Sequence, residues 1–174
     1  YRGNHTVLNI TRKQTTGAPH FIETGHIQPA GLNEEMTSKV EKEVIAGLNS
    51  LKIENGASHT EFKITPNGDV KIIEIGARMG GDCIGSDLVQ ISTGYDFLKM
   101  VIDVGLGNRP DFTKVVKPQK AIIKFIFTEK DIQELEKIKK ERPENIYYIS
   151  PIDRINSHEI IDSSTRYGYY ILAE

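Results

Sequence analysis

The sequence predicts an α+β fold: an antiparallel sheet with packed helices, followed by a small α+β subdomain. Three observations carry this reading. Two β-rich runs flank the pair Asn67-Gly68, a strong short-range hairpin signal. Apolar residues recur at three- and four-residue steps from Met36 to Leu51, the period of a helix that buries one face. After Gly105-Leu-Gly-Asn-Arg-Pro110, which reads as a boundary, strand-like and helix-like runs alternate again. The segments 1–109 and 110–174 are therefore expected to be distinct.

Val7, Leu8 and Ile10 predict a first strand, and His20-Phe-Ile-Glu23 a second, with Gly17 and Pro19 turning the chain between them. From Asn33, a good N-cap, the residues Met36, Val40, Val44, Leu48 and Leu51 form an apolar stripe, and Asn55-Gly56 supplies a stop. The runs Ser58 to Thr65 and Val70 to Ile75 make the hairpin. Ser86 and Thr93 are each placed to cap a short helix, the second with Phe97, Leu98, Val101 and Val104 inward and an end at Gly105. The remainder predicts a strand at Ala121 to Phe127, a helix capped by Thr128 with Ile132, Leu135 and Ile138 inward, and strands near Ile146 to Ile149 and Tyr167 to Leu172.

Composition narrows the function classes. The chain has 174 residues, 22 Lys and Arg against 24 Asp and Glu, and a formal charge of −2, so it lacks the net positive field that holds nucleic acid or an anionic membrane. Apolar runs are strand-sized and well short of the roughly 20 residues of a spanning helix. A lone cysteine, Cys83, makes no internal disulfide and no Cys-based zinc cluster, and points to a reducing compartment such as the cytoplasm.

The chemistry concentrates around the hairpin. A two-residue turn at Asn67-Gly68 sets Glu61 opposite Glu74, with side-chain roots about 5 Å apart. Phe62 then lies opposite Ile73 and Thr60 opposite Ile75 on the other, apolar face. Facing carboxylates repel one another unless solvated, protonated or bridged by a cation. Oxygen donors of this kind suit Mg²⁺, which keeps waters and shares its shell with phosphates. Arg78 follows as a fork for phosphate oxygens, and Gly80 and Gly81 let backbone N–H groups approach an anion. Taken singly, the glutamate pair also fits an exposed acidic face and the glycines a plain turn.

The stretch His59-Thr-Glu61, with Ile72-Ile-Glu-Ile-Gly-Ala-Arg-Met-Gly-Gly-Asp82, resembles the metal-binding hairpin and following loop of ATP-grasp ligases. It is most like the L-amino acid ligase, or carboxylate–amine ligase, branch. The resemblance implies that Glu61 and Glu74 bind Mg²⁺ (or Mn²⁺) bridging the ATP phosphates, and that Arg78 stabilises the transferring phosphate and acyl-phosphate. It also implies that Glu23 and His26, the ends of an E-x-x-H stretch, line a substrate pocket with Gly80 and Gly81. Read alone, Glu23 is a strand-end residue and His26 a loop histidine. Asp82 is a candidate proton acceptor for the amine, and Cys83 a small packing residue.

Gly76 stands where many ATP-grasp enzymes carry a metal-binding Asn, and the resemblance to the amino acid ligase branch accounts for it, since that branch commonly has Gly there. The family's glycine-rich lid and nucleotide-gripping lysines are not found in this sequence. With Tyr1 in first place, residues 1–109 are read as the C-terminal portion of the catalytic domain, a fragment expected to be inactive alone. The implied reaction joins a small-molecule carboxylate to an amine at the expense of ATP, without nucleic acid or membrane, and leaves homo-oligomer formation open. Two alternatives stand beside it: other ATP-grasp chemistry of the carbamoyl phosphate synthase or carboxylase kind, and a non-catalytic nucleotide-binding or regulatory module.

Overall fold

The computed structural model describes residues 1–155, 160 and 162–174. By its contacts the chain divides into two compact units, each discontinuous in sequence: residues 1–10 with 31–118, and residues 11–30 with 119–174. Residues 11–30, which the sequence groups with the first segment, are claimed by the second unit because their hairpin pairs with a strand that begins at Ala121.

In the first unit, helix α1 (Glu34–Ser50) starts where Asn33 accepts a hydrogen bond from the Met36 amide. It ends at Leu51, short of the Asn55-Gly56 stop expected from the sequence. Its stripe of Val40, Val44 and Leu48 is buried with Val70, and Met36, Phe62 and Ile75 close around it. Val7 and Ile10 join this cluster as irregular chain. Residues 7–10 therefore do not form the first predicted strand: they are apolar because they cover α1, and among the described residues no strand pairs with them.

The hairpin is strands β3 (His59–Ile64) and β4 (Val70–Gly76). Its turn is one residue longer than the sequence suggests. The Gly68 amide donates to the Thr65 carbonyl, Thr65 pairs back with Asp69, and Gly68 holds φ at 78°, the arrangement of a three-residue loop closed by a left-handed glycine. Phe62 consequently pairs with Ile72, correcting the expected partner Ile73. A bulge at Ile73 then absorbs the extra residue, and Glu61 does pair with Glu74, as Thr60 does with Ile75. Ile73 itself is 59% exposed, while Ile72 and Ile75 both reach the α1 backbone at Gly47.

A left-handed Asp82-Cys83 pair (φ 51° and 59°) leads into a π-helical turn, Ile84–Leu88, and the short helix α2 (Val89–Thr93). Helix α3 (Phe97–Gly105) follows. Its cap is Asp96, which accepts from the Lys99 amide, and not the Thr93 expected from the sequence. Thr93 instead ends α2, with its hydroxyl donating to the Val89 carbonyl. Met100 is the buried residue of α3 and Leu98 is exposed.

The second unit is a five-stranded antiparallel sheet. In chain order its strands are β1 (Arg12–Thr15), β2 (Glu23–Gln28), β5 (Ala121–Ile126), β6 (Ile146–Ile149) and β7 (Gly168–Ala173), and they lie side by side as β1-β2-β5-β7-β6. The second predicted strand thus begins at Glu23, where the expected one ended. Helix α4 (Glu129–Glu141) opens with a reciprocal Thr128/Asp131 cap and buries Leu135 and Ile138 against Ile122, Ile126, Tyr170 and Leu172. Among the described residues no helix is long and apolar enough to cross a membrane.

Candidate active site

Strand alternation and the compensating bulge put Glu61 and Glu74 directly opposite one another, with Phe62, Ile72 and Ile75 committed to the α1 side. Glu74 is exposed and the Glu61 side chain 34% so. Two carboxylates open to solvent on one side fit a hard divalent cation that draws the rest of its shell from water and phosphate oxygens. Among the described residues no group of three or more His, Cys, Asp or Glu side chains forms a metal cage.

The loop after β4 is shaped by its glycines. Gly76 pairs with His59, and the Arg78 stem passes 3.6 Å from where a Gly76 side chain would begin. Arg78 is exposed, with Nη1 donating to the Met79 carbonyl at 2.7 Å. Gly80 and Gly81 differ sharply. A side chain at Gly80 would fall 3.0 Å from His59 Nδ1 and 2.9 Å from Ile84 Cγ2, whereas nothing lies within 4 Å of the same position at Gly81. Gly81 is the open approach of the two, and Gly80 makes room for neighbours within the fold.

Glu23 and His26 lie in the second unit. Residues three apart in a regular strand point to opposite faces. Here the pairing of Gln14 with Gly25 and of Thr15 with Glu23 leaves Thr24 as an extra residue, and this bulge brings Glu23 round to the His26 side. Both meet the same ring system. His26 packs edge-on against Phe125 at 5.6 Å, and the Arg166 guanidinium lies 3.6 Å over the Phe125 ring while its Nη2 reaches Glu23 at 3.5 Å. Lys13 Nζ donates to the other Glu23 oxygen at 3.1 Å. His26 is fully buried within β2, which corrects its reading as a loop residue. Sequence reasoning missed Lys13, Phe125 and Arg166. Lys13 faces His26 across β1 and β2 and could have been found once the hairpin was placed, but Arg166 is 143 residues from Glu23 and carries no local signal.

The chain matches the model of the ATP-grasp domain over residues 1–87. It is 32% identical over 84 residues to the alanine–anticapsin ligase of Bacillus subtilis (strain 168), covering 48% of this chain and 18% of that protein. Its counterpart in Bacillus amyloliquefaciens is 30% identical over 95 residues, 54% of this chain and 20% of that one. Among solved structures, the L-amino acid ligase from Bacillus licheniformis superposes with a TM-score of 0.79 at 26% identity, over 99% of this chain and 44% of that one. Phosphoribosylglycinamide synthetase from Anaerococcus prevotii shares the fold, with a TM-score of 0.74 at 18% identity over 94% of this chain and 43% of that one. The chain thus spans under half of these structures, and its matched part about a fifth of the curated relatives.

Proposed function

Because this chain belongs to the ATP-grasp family, whose domain model matches half of it, we propose that it supplies the metal- and substrate-handling portion of an ATP-dependent carboxylate–amine ligase. The observation that carries this reading is the direct pairing of Glu61 with Glu74, inside the stretch shared with the amino acid ligases. In the proposed reaction a substrate carboxylate takes the terminal phosphoryl group of ATP and becomes an acyl phosphate. The amine nitrogen then attacks the acyl carbon, a C–N bond forms, the C–O bond to phosphate breaks, and the nitrogen gives up a proton.

Glu61 and Glu74 hold the divalent cation, Mg²⁺ or Mn²⁺, which when bound offsets the charge on the ATP phosphates. Arg78, exposed at the end of β4, offsets charge on the acyl phosphate and on the tetrahedral species that follows it. Gly81, with free space where a side chain would begin, lets substrate approach the backbone, and Gly80 shapes the loop that presents it. Glu23, partly exposed and with its carboxylate held from both sides by Lys13 and Arg166, contacts the substrate, and the buried His26 supports it from behind through Phe125, on which Arg166 stacks. Small-molecule acids and amines are the proposed partners and the cytoplasm, where ATP is abundant, the proposed location.

The test uses the full-length protein that contains this chain, incubated with ATP, Mg²⁺ and amino acids in pairs. Phosphate release that requires both an acid and an amine, and that Glu74→Gln abolishes while the protein stays folded, is the expected result. Release independent of any amine, or turnover unchanged by Glu74→Gln, overturns the assignment.

A further inference from the structure

His59 takes no part in the proposed reaction, yet it borders two parts of the candidate site. It is the first residue of β3 and lies two positions before Glu61, so both side chains leave the same face of the hairpin. Its Nε2 is 3.7 Å from Glu61 Oε1, and its side chain is only 17% exposed. The opposite edge of the ring, Nδ1, sits where a side chain at position 80 would begin, 3.0 Å from that point. The same space is bounded by Ile84, which starts the π-helical turn, and the Gly85 amide bonds the Gly80 carbonyl, so the loop wall is tied down. The imidazole is therefore wedged, with one nitrogen against the glycine loop and the other toward a proposed metal-binding carboxylate.

We propose that His59 is a positioning residue that holds the Glu61 carboxylate in its cation-binding orientation, with glycine at position 80 leaving room for the ring beside Ile84. The inference rests on the reading of Glu61 and Glu74 as the cation pair. Outer partners of this kind orient a ligating group and change metal affinity by about 10- to 100-fold when lost. With Glu61 partly exposed, the low end of that range applies.

The experiment titrates Mn²⁺ into the full-length protein in the presence of ADP and reads protein-bound metal from the enhanced relaxation of water protons. His59→Ala is expected to weaken binding about tenfold. Gln places its amide nitrogen near Nε2 and Asn near Nδ1, so His59→Gln should recover most of the affinity while His59→Asn stays with His59→Ala. Gly80→Ala should weaken binding as well, since its methyl group would press on the His59 ring and on Ile84 together. A ring that only fills space would not distinguish Gln from Asn. Equal affinities for the Gln and Asn variants, or an unchanged His59→Ala, overturn the inference when Glu74→Gln abolishes binding. Undiminished binding by Glu74→Gln overturns the cation pair itself, and the role of His59 with it.

Discussion

Replacing Glu74 by Gln is expected to make the metal-free protein more stable while removing its response to Mg²⁺. Glu61 and Glu74 are a direct cross-strand pair, so their side-chain roots are about 5 Å apart and their charges about 6 Å apart. Both carboxylates reach solvent, which makes the dielectric of water the right choice. The repulsion is then about 0.7 kcal/mol without salt and roughly half that at physiological ionic strength. At physiological ionic strength, loss of one charge should stabilise the fold by about 0.4 kcal/mol, a rise in melting temperature of about 1 °C for a domain of this size. Glu61→Gln should do the same. The assay is a pair of thermal melts for each protein, with and without Mg²⁺ and ADP. Wild type should gain stability from the ligands by mass action, and each variant should start higher and gain little. A variant that melts lower than wild type without metal would refute the repulsion between the pair, and one that keeps the full gain with it would show that the two carboxylates do not share a cation.

Further outcomes follow from the packing. Gly25→Ala would place a methyl group 2.5 Å from the Ile123 carbonyl oxygen, and because backbone cannot yield cheaply, a loss of about 1 to 3 kcal/mol is expected in denaturant unfolding. Leu135→Ala removes a fully buried side chain beneath the sheet and should cost about 2 to 5 kcal/mol by the same measurement. Arg166→Lys keeps the charge but loses the planar stack on Phe125; in the full-length protein, under the proposed reaction, it should raise the KM for one substrate severalfold with a smaller change in kcat, and an unaltered KM would separate Glu23 from substrate binding. Asp162 accepts hydrogen bonds from the Ser164 hydroxyl and amide, which hold its carboxyl below the usual range. Its folded value being depressed, the turn is stabilised above the unfolded value and loosens as pH falls through the folded one; a carboxyl-carbon NMR titration that gives an ordinary aspartate value would refute this.

Local pattern carried the elements whose signal lies within a few residues. The apolar stripe of α1, its Asn33 cap, the Thr128 cap of α4 and the strand at Ala121 were all legible, because each follows from spacing along a single run. Val7 and Ile10 were misread as a strand because apolar spacing reports burial and not the partner that does the burying. Thr93 was a good cap in composition and lost to Asp96, since α2 occupies the residues up to Thr93. The π-helical turn beyond Asp82-Cys83 had no counterpart in the sequence reading, as two non-glycine residues at positive φ leave no compositional mark.

Read by itself, the sequence determined that an acid pair faces across a hairpin and that an arginine and two glycines follow it. It reached Glu61 opposite Glu74 through a two-residue turn that does not form; a longer turn and a bulge at Ile73 cancel, and the pair survives. Long-range packing set the rest. A bulge at Thr24 turned Glu23 and His26 to one side, pairing with β5 carried residues 11–30 into the other unit, and Arg166 arrived at Glu23 from 143 residues away. The physical reason is one of range. Side-chain periodicity is a property of one segment and is written in its own residues, whereas register shifts and long-range contacts depend on which segment packs alongside, and no segment records its partner.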